Sequence, residues 1–473
     1  MKIRSIAAAA VIAAATGAAC LANGAPSEPT SATQELAALR TQLAALQERL
    51  VQLEQAQQKQ IERVEASQVA QATVNTDLQE SIDRTADNLA RTVGEGASSG
   101  WMGRWVWKGD LRARNEHIDQ EATVAERNRN RFRLRVGAMA RVNDNTRVEV
   151  QFATGEGADA RSSNQSFTDA NSRKALDLDI AQVEWAPNDQ WRLTIGKMRQ
   201  PWVRTSSFFF DGDINPEGLA VGWQQAANGF FGTLFATELA ERSTAADSGV
   251  FGAQVGWRET RSDGSRLLLA GGFYDHFAVR GYNPFQSASN ASSGVGSFGN
   301  TTTTSATVCR KAVGAGVPCL ANDYNIVELL GEYQFNVGEQ PLLVFANLAR
   351  NTAAKASGTT PDGVDSAYAA GFTYGRANAS IPGTWEIGYL YQVIEKDALF
   401  AQWIDSDFAA GNTDGGGSAF RAAYQLSRNW RFNLTYMLNE TNRDVGAAVT
   451  IPTSRTLFDR DYQRLQVDLN WTY

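Results

Sequence analysis

From residue 101 to the C-terminus, apolar side chains recur at every second position in short runs. In RFRLRVGAMARV, Phe132, Leu134, Val136, Ala138 and Ala140 share one face, and Arg131, Arg133, Arg135 and Arg141 share the other. NWRFNLTYMLNE sets Trp430, Phe432, Leu434, Tyr436 and Leu438 against Arg431, Asn433, Thr435, Met437 and Asn439, and GVFGAQVGW, TWEIGYLYQV and the final LQVDLNWTY repeat the pattern. Successive side chains of a strand point to opposite faces, so each run predicts a strand with one apolar face. Segments of about 9–11 residues of this kind are the signature of a transmembrane β-barrel, although a long water-soluble β-solenoid shares the alternation. Sixteen candidate strands fall near 102–116, 129–141, 146–156, 177–187, 191–199, 216–223, 229–239, 248–258, 265–276, 324–336, 341–352, 366–377, 383–396, 417–427, 430–440 and 461–473.

Connection lengths sharpen this prediction. Tight polar connections such as VNDNT, APNDQ, TRSDGS and SRN alternate with long ones at 117–128, 157–176, 200–215, 277–323, 353–365, 397–416 and 441–460. An even-stranded outer-membrane barrel has short periplasmic turns and long external loops, which places both ends of residues 101–473 on the periplasmic side. Closure also pairs every strand N–H and C=O inside hydrocarbon. The last strand is expected to zip against the first, WMGRWVWKGDLRAR, whose Trp101, Trp105 and Trp107 are candidates for an aromatic girdle.

Before residue 101 the period changes. Leu36, Leu39, Leu43, Leu46, Leu50 and Leu53 recur at spacings of three and four, the a/d seam of a coiled coil. The seam weakens through residue 93 and meets a GEGASSG linker at 94–100. Self-association is the expected use of those leucines, with a single helix packed on its own domain as the alternative. The opening MKIR, an apolar Ala-rich run and a small-residue region together predict a secretory signal peptide over 1–22. A membrane-anchored helix and a lipid-bearing Cys20 are its rivals. The expected fold class is therefore all-β, a transmembrane antiparallel barrel of about sixteen strands preceded by a periplasmic α-helical coiled coil.

Composition narrows the chemistry. Only 2 histidines, His117 and His276, occur in 473 residues, and neither sits in a nucleophile motif, so no enzyme, cofactor or metal centre is expected. A net charge of -7 does not suggest a nucleic-acid partner. Cys309 and Cys319 lie close together in VCRKAVGAGVPC, which in an oxidising compartment reads as a disulfide in the longest external loop; two free thiols are the alternative.

Sixteen strands generally enclose a channel rather than a packed core. The alternation then turns Lys108, Arg112, Arg114, Arg133, Arg135, Arg141 and Arg147 inward, with Asp110, Glu116 and Glu149. Such a cationic wall concentrates anions in a narrow polar passage, or else simply pairs with its carboxylates. RTSSFFFDGDINPEGLAVGW is a candidate constriction loop, with Arg204, Asp211, Asp213 and Glu217 at its mouth and Phe208, Phe209 and Phe210 as a wedge; an ordinary external loop is the alternative.

The run KGDLRARNEHIDQEATVAERNRNRFRLRVGAMARVNDNTRVEVQFATGEG, followed by LDLDIAQVEWAP and LTIGKMRQPW, resembles the family of bacterial putative porins. More distantly the arrangement is similar to phosphate-selective porins, which set a periplasmic coiled coil before a sixteen-stranded trimeric barrel. The resemblance implies an outer-membrane location, with the coiled coil in the periplasm, and passive passage of small hydrophilic solutes. It also implies a homotrimer surrounded by lipid and lipopolysaccharide. First-strand arginines favour anions, but no lysine-rich run specifies phosphate. The competing expectation is a closed barrel acting as a tether or adhesin, its coiled coil reaching towards the cell wall.

Overall fold

The protein is described here by a computed structural model covering residues 104–121, 126–155, 159–283, 296–310, 317–357, 362–443, 449–450, 456–457 and 460–473. Sixteen strands make its wall: β1 (Trp105–Gln120), β2 (Arg127–Asn143), β3 (Thr146–Ala153), β4 (Asp177–Trp185), β5 (Trp191–Lys197), β6 (Glu217–Gln224), β7 (Gly229–Ala240) and β8 (Ser248–Thr260) form one half. The other half is β9 (Arg266–Phe277), β10 (Tyr324–Val337), β11 (Gln340–Asn351), β12 (Ser366–Gly375), β13 (Trp385–Ile394), β14 (Gly415–Ser427), β15 (Trp430–Thr441) and β16 (Arg460–Thr472). Each strand pairs antiparallel with the next. The ring closes because β16 also pairs with β1, with Leu111 opposite Trp471 and Ala113 opposite Leu469. Among the described residues every wall strand is thus paired on both sides over its central part, which is what a sheet needs to cross lipid.

The apolar face of the alternation points outward. Leu111, Phe152, Leu234, Phe251, Val255, Leu329, Leu348, Ile387 and Phe432 are all exposed, so these side chains meet hydrocarbon rather than a protein core. Trp107, Trp185, Trp191, Trp385 and Trp430 are exposed at the ends of strands, as expected of an interfacial girdle.

One part of the expected fold is corrected. Among the described residues there is no α-helix, only 3-10 turns at Asp169–Asn171 and Phe408–Gly411. The candidate coiled coil over 33–93, including Leu36 to Leu53, lies outside the described residues. A leucine seam becomes a helix pair only where a partner helix covers it, and the described barrel supplies none. The described residues therefore form an all-β barrel of the outer-membrane kind, with no helix of the expected periplasmic coiled coil among them.

Candidate functional site

The lumen is not uniformly polar. Four long connections turn into it with their described residues: 154–155 and 159–176 after β3, 198–216 after β5, 278–283, 296–310 and 317–323 after β9, and 395–414 after β13. Trp202 and Trp403 stack at 5.2 Å, Phe235 of β7 stacks on Trp202 at 4.9 Å, and Phe210 and Tyr274 meet the same indole edge-on. Phe209, Leu399, Phe400 and Ile404 complete a buried apolar cluster with the inward side chains Val250, Ile326, Phe345 and Leu390 of the wall. Each aromatic pair contributes about 0.5–1.5 kcal/mol beyond its buried area, so this cluster fixes the loops against β7–β13.

The opposite side, where β14–β16 meet β1 and β2, is a seam of charge. Arg114 forks onto Asp468 directly across the β1–β16 ladder (2.6 and 2.8 Å) and extends Nη1 to Asp407 of the 395–414 loop (2.8 Å). Arg464 donates to Glu116 and to Asp407, both at 2.7 Å, and Gln466 donates to Asp407 at 2.8 Å. Arg133 and Arg135 share Asp110 and face Asp213 of the 198–216 loop at 3.9 and 3.6 Å. Arg112 donates twice to Asn164 Oδ1 (3.1 and 2.5 Å) and, among the described residues, forms no ion pair.

The loop carboxyls differ sharply in their surroundings. Burial opposes ionisation of Asp407 and Asp213, but Arg464 and Arg114 around the first, and Arg133 with the Ser163 hydrogen bonds around the second, hold both below the usual carboxylate range. Burial beside Asp405 and Asp213 pushes Asp211 well up. Asp405, buried next to Asp407, is pushed up to about 6. Asp211 accepts the Ser406 N–H (2.9 Å), and the Asp405 N–H reaches the Phe208 carbonyl (3.2 Å), so the two raised carboxyls sit where the inward loops join.

Two cavities open at the short-turn end. One, of about 440 Å³, is lined by Arg112, Arg133, Arg135, Arg421 and Arg431 against Asp110, Glu386 and Asp468, five cations to three carboxylates. The other, of about 740 Å³, has Arg141, Arg147, Arg192, Arg199 and Arg258 against Asp144, Glu184 and Asp189, again five to three.

The sequence-predicted residues thus separate into groups. Arg112, Arg114, Arg133 and Arg135 are brought together in the seam. Arg141 and Arg147 lie apart in the larger cavity, while Lys108 and Arg199 both clamp Glu149 (2.5 and 2.6 Å). Asp211 and Asp213 lie inside the barrel on the 198–216 loop. Arg204 instead braces that loop by donating to the Phe210 carbonyl (2.9 Å), and Glu217, the first residue of β6, pairs with Lys197 (2.9 Å) away from the seam. Phe209 and Phe210 are buried in the apolar cluster, whereas Phe208 stacks on Phe408 beneath the Arg421 guanidinium. Cys309 and Cys319 are joined, with Cα atoms 5.6 Å apart. Periodicity does not point to Asp405, Asp407, Arg464 or Asp468 as a unit. The alternation of LQVDLNWTY does put Asp468 and Gln466 on the polar face, but nothing local indicates that a loop some 60 residues earlier fills the space before them.

Among the described residues no group of three or more His, Cys, Asp or Glu could hold a metal ion. His117 contacts Asn128 (2.9 Å) near the outer end of β1, and His276 is buried against Phe400 and Trp403.

Comparison with known proteins follows the same lines. Residues 117–453 match the family described as "Putative porin". The high-pH structure of Pseudomonas putida OprB is similar at TM-score 0.50 and 10% identity, covering 81% of this chain and 97% of that one. OmpT of Vibrio cholerae in its trimer form gives 0.43 at 13% identity over 78% and 99%, and a mutant of the Rh. blastica porin gives 0.44 at 12% over 78% and 100%. No curated protein matches the chain. A family match that runs from the outer end of β1 to the last external loop, on a closed sixteen-stranded barrel with an apolar exterior, identifies the chain as a member of the bacterial putative porin family, an outer-membrane β-barrel.

Proposed function

We propose that this porin passes small hydrophilic solutes by passive diffusion with a preference for anions, along the seam between β14–β16, β1, β2 and the two inward loops. The observation that carries this reading is the charge of the cavity on that seam, five arginines against three carboxylates, although the chain as a whole carries -7; the larger cavity at the same end has the same ratio. Selectivity depends on the wall nearest the ion rather than on net charge, because low-dielectric walls focus the field of a narrow passage. Reversal potentials in planar bilayers under a KCl gradient test it. Chloride should pass more readily than potassium, and cation preference would overturn the anion assignment.

Lipid and lipopolysaccharide are the surroundings of this reading, and a homotrimer is its assembly. Support for association comes from wall height. β5 has 7 residues and β3 and β6 have 8 each. At about 3.3 Å per residue and a tilt of about 40°, seven residues rise only about 18 Å, short of an apolar band of about 25 Å. A neighbouring copy against this low wall would cover the deficit. Light scattering of the detergent-solubilised protein should report three protomers, and a monodisperse monomer would rule assembly out.

The packed aromatic cluster favours a second reading, a closed barrel serving as tether or adhesin. Correctly folded protein that yields no conductance would select it.

A further inference from the structure

Asp407 sits in its site as a ligand would. Arg114, Arg464 and Gln466 are each less than a tenth exposed, and each aims an N–H at its carboxylate from the rigid β1–β16 ladder. The receptor half is fixed without it: Asp468 holds Arg114 from the neighbouring strand, and Glu116 holds Arg464. Preorganised guanidinium forks of this kind recognise carboxylates by paired, charge-assisted hydrogen bonds.

The occupant is held less naturally than the receptor. Immediately after Asp407 the loop runs through Ala409 (φ 47°), Ala410 (φ 58°) and Gly411 (φ 73°). Alanine disfavours this left-handed region, so two of the three residues behind the carboxylate adopt an unfavourable backbone conformation while it is docked. A Cβ on Gly411 would meet the Ser406 carbonyl at 2.7 Å, so the turn accepts only glycine there.

We propose that Arg114, Arg464 and Gln466 form a binding site for the carboxylate group of small organic acids, and that Asp407 is an internal tenant which such solutes displace. The proposal deepens the anion-channel reading and rests on it for access. Displacement is an exchange of one carboxylate for another, so the buried charge count stays constant and no arginine is left unpaired. The tenant competes at the high effective concentration of a tethered group, which keeps the wild-type site weak for free solutes.

The test uses the full chain, refolded in detergent, titrated calorimetrically with potassium succinate and with uncharged succinamide at constant ionic strength. Asp407→Ala should bind succinate about tenfold or more tightly than wild type, the effect expected when an internal competitor is removed. Succinamide should bind neither protein, and adding Arg464→Gln to Asp407→Ala should abolish succinate binding. Equal succinate affinities for wild type and Asp407→Ala would overturn the proposal. So would tighter binding of inorganic phosphate than of succinate, which would make the site a general oxyanion site. If Asp407→Ala does not fold, Asp407→Asn takes its place with the same expectation. If neither folds, wild type decides: saturable succinate uptake that succinamide does not compete supports the site, and no uptake overturns it. KCl conductance of wild type is measured in parallel. Its absence refutes the channel reading, whereas conductance without succinate binding refutes the carboxylate site alone.

Discussion

Replacing Arg112 by Gln removes one charge from the smaller cavity while disturbing its geometry least. Arg112 forms no ion pair among the described residues, and Gln can still donate one hydrogen bond to Asn164 Oδ1. Arg133 and Arg135 are less clean targets, because both hold Asp110 and face Asp213, so their loss frees a loop as well as a charge. An ion passing about 6 Å from the guanidinium feels about 0.7 kcal/mol in a water-like dielectric. Screening over about 10 Å at 0.1 M salt reduces this to about 0.4 kcal/mol. That is about a twofold enrichment of chloride and a twofold depletion of potassium, so the substitution should lower the chloride-to-potassium permeability ratio about fourfold. Low-dielectric walls make this a lower bound. In 1 M salt the screening length falls to about 3 Å, and the same arithmetic leaves a change of only about 1.4-fold. Reversal potentials at the two concentrations read both values. An unchanged ratio at low salt would mean that the permeating ion never approaches Arg112, and would refute the seam as the route.

Three further outcomes are expected. Trp202→Ala removes the ring between Trp403 and Phe235 and should destabilise the inward loops by about 3–5 kcal/mol; single-channel conductance should rise, and an unchanged conductance would mean that the aromatic cluster does not hold the loops shut. Reducing the Cys309–Cys319 bond, or replacing both by Ser, should speed tryptic cleavage after Arg310 without altering the heat-modified mobility of the barrel, whereas equal cleavage rates would deny the bond a role in ordering that loop. Asp405, pushed up to about 6, keeps its proton in the joined loops over a range where a solvated carboxyl, at about 3.9, has lost it. The joined state therefore binds more protons and is favoured at low pH, and its advantage is lost as pH rises through about 6. Conductance should increase from about pH 4 to about pH 6 and level off above, and Asp405→Asn should flatten the response. A wild-type profile that falls with pH would refute this coupling.

The wall was legible in the sequence because lipid outside and polar groups inside impose a strict two-residue period, and all sixteen predicted strands lie within a few residues of those observed. The period failed to describe the interior. Tyr274, Ile326, Phe345 and Leu390 point inward yet are apolar and buried, because they face the packed loops rather than water. A rule that assigns every inward position to a water-filled channel misreads these residues. The seam was half legible: the arginines of RFRLRVGAMARV fall on the predicted face, but their partners Asp213 and Asp407 come from loops whose path depends on tertiary packing.

The division of the lumen follows from chain economy. A ring of sixteen strands encloses more space than its own side chains can fill, and the wall cannot shrink without losing a pair of strands. The inward loops resolve this by bringing their own apolar surface, Phe209, Phe210, Phe400, Trp403 and Ile404, to the apolar inner faces of β7–β13. Burying a charge there would be costly unless it were paired or hydrogen-bonded, as Asp397 is by Thr301, Asn322 and Tyr324, and two other loop carboxylates lie against the opposite wall. Asp213 and Asp407 accordingly meet the arginines of β1, β2 and β16, which need counter-charges of their own. The packing that closes one side of the barrel thus leaves Asp213 and Asp407 paired with arginines on the other. In the proposed anion route a solute crosses along that seam, substituting for a carboxylate or displacing water between guanidiniums.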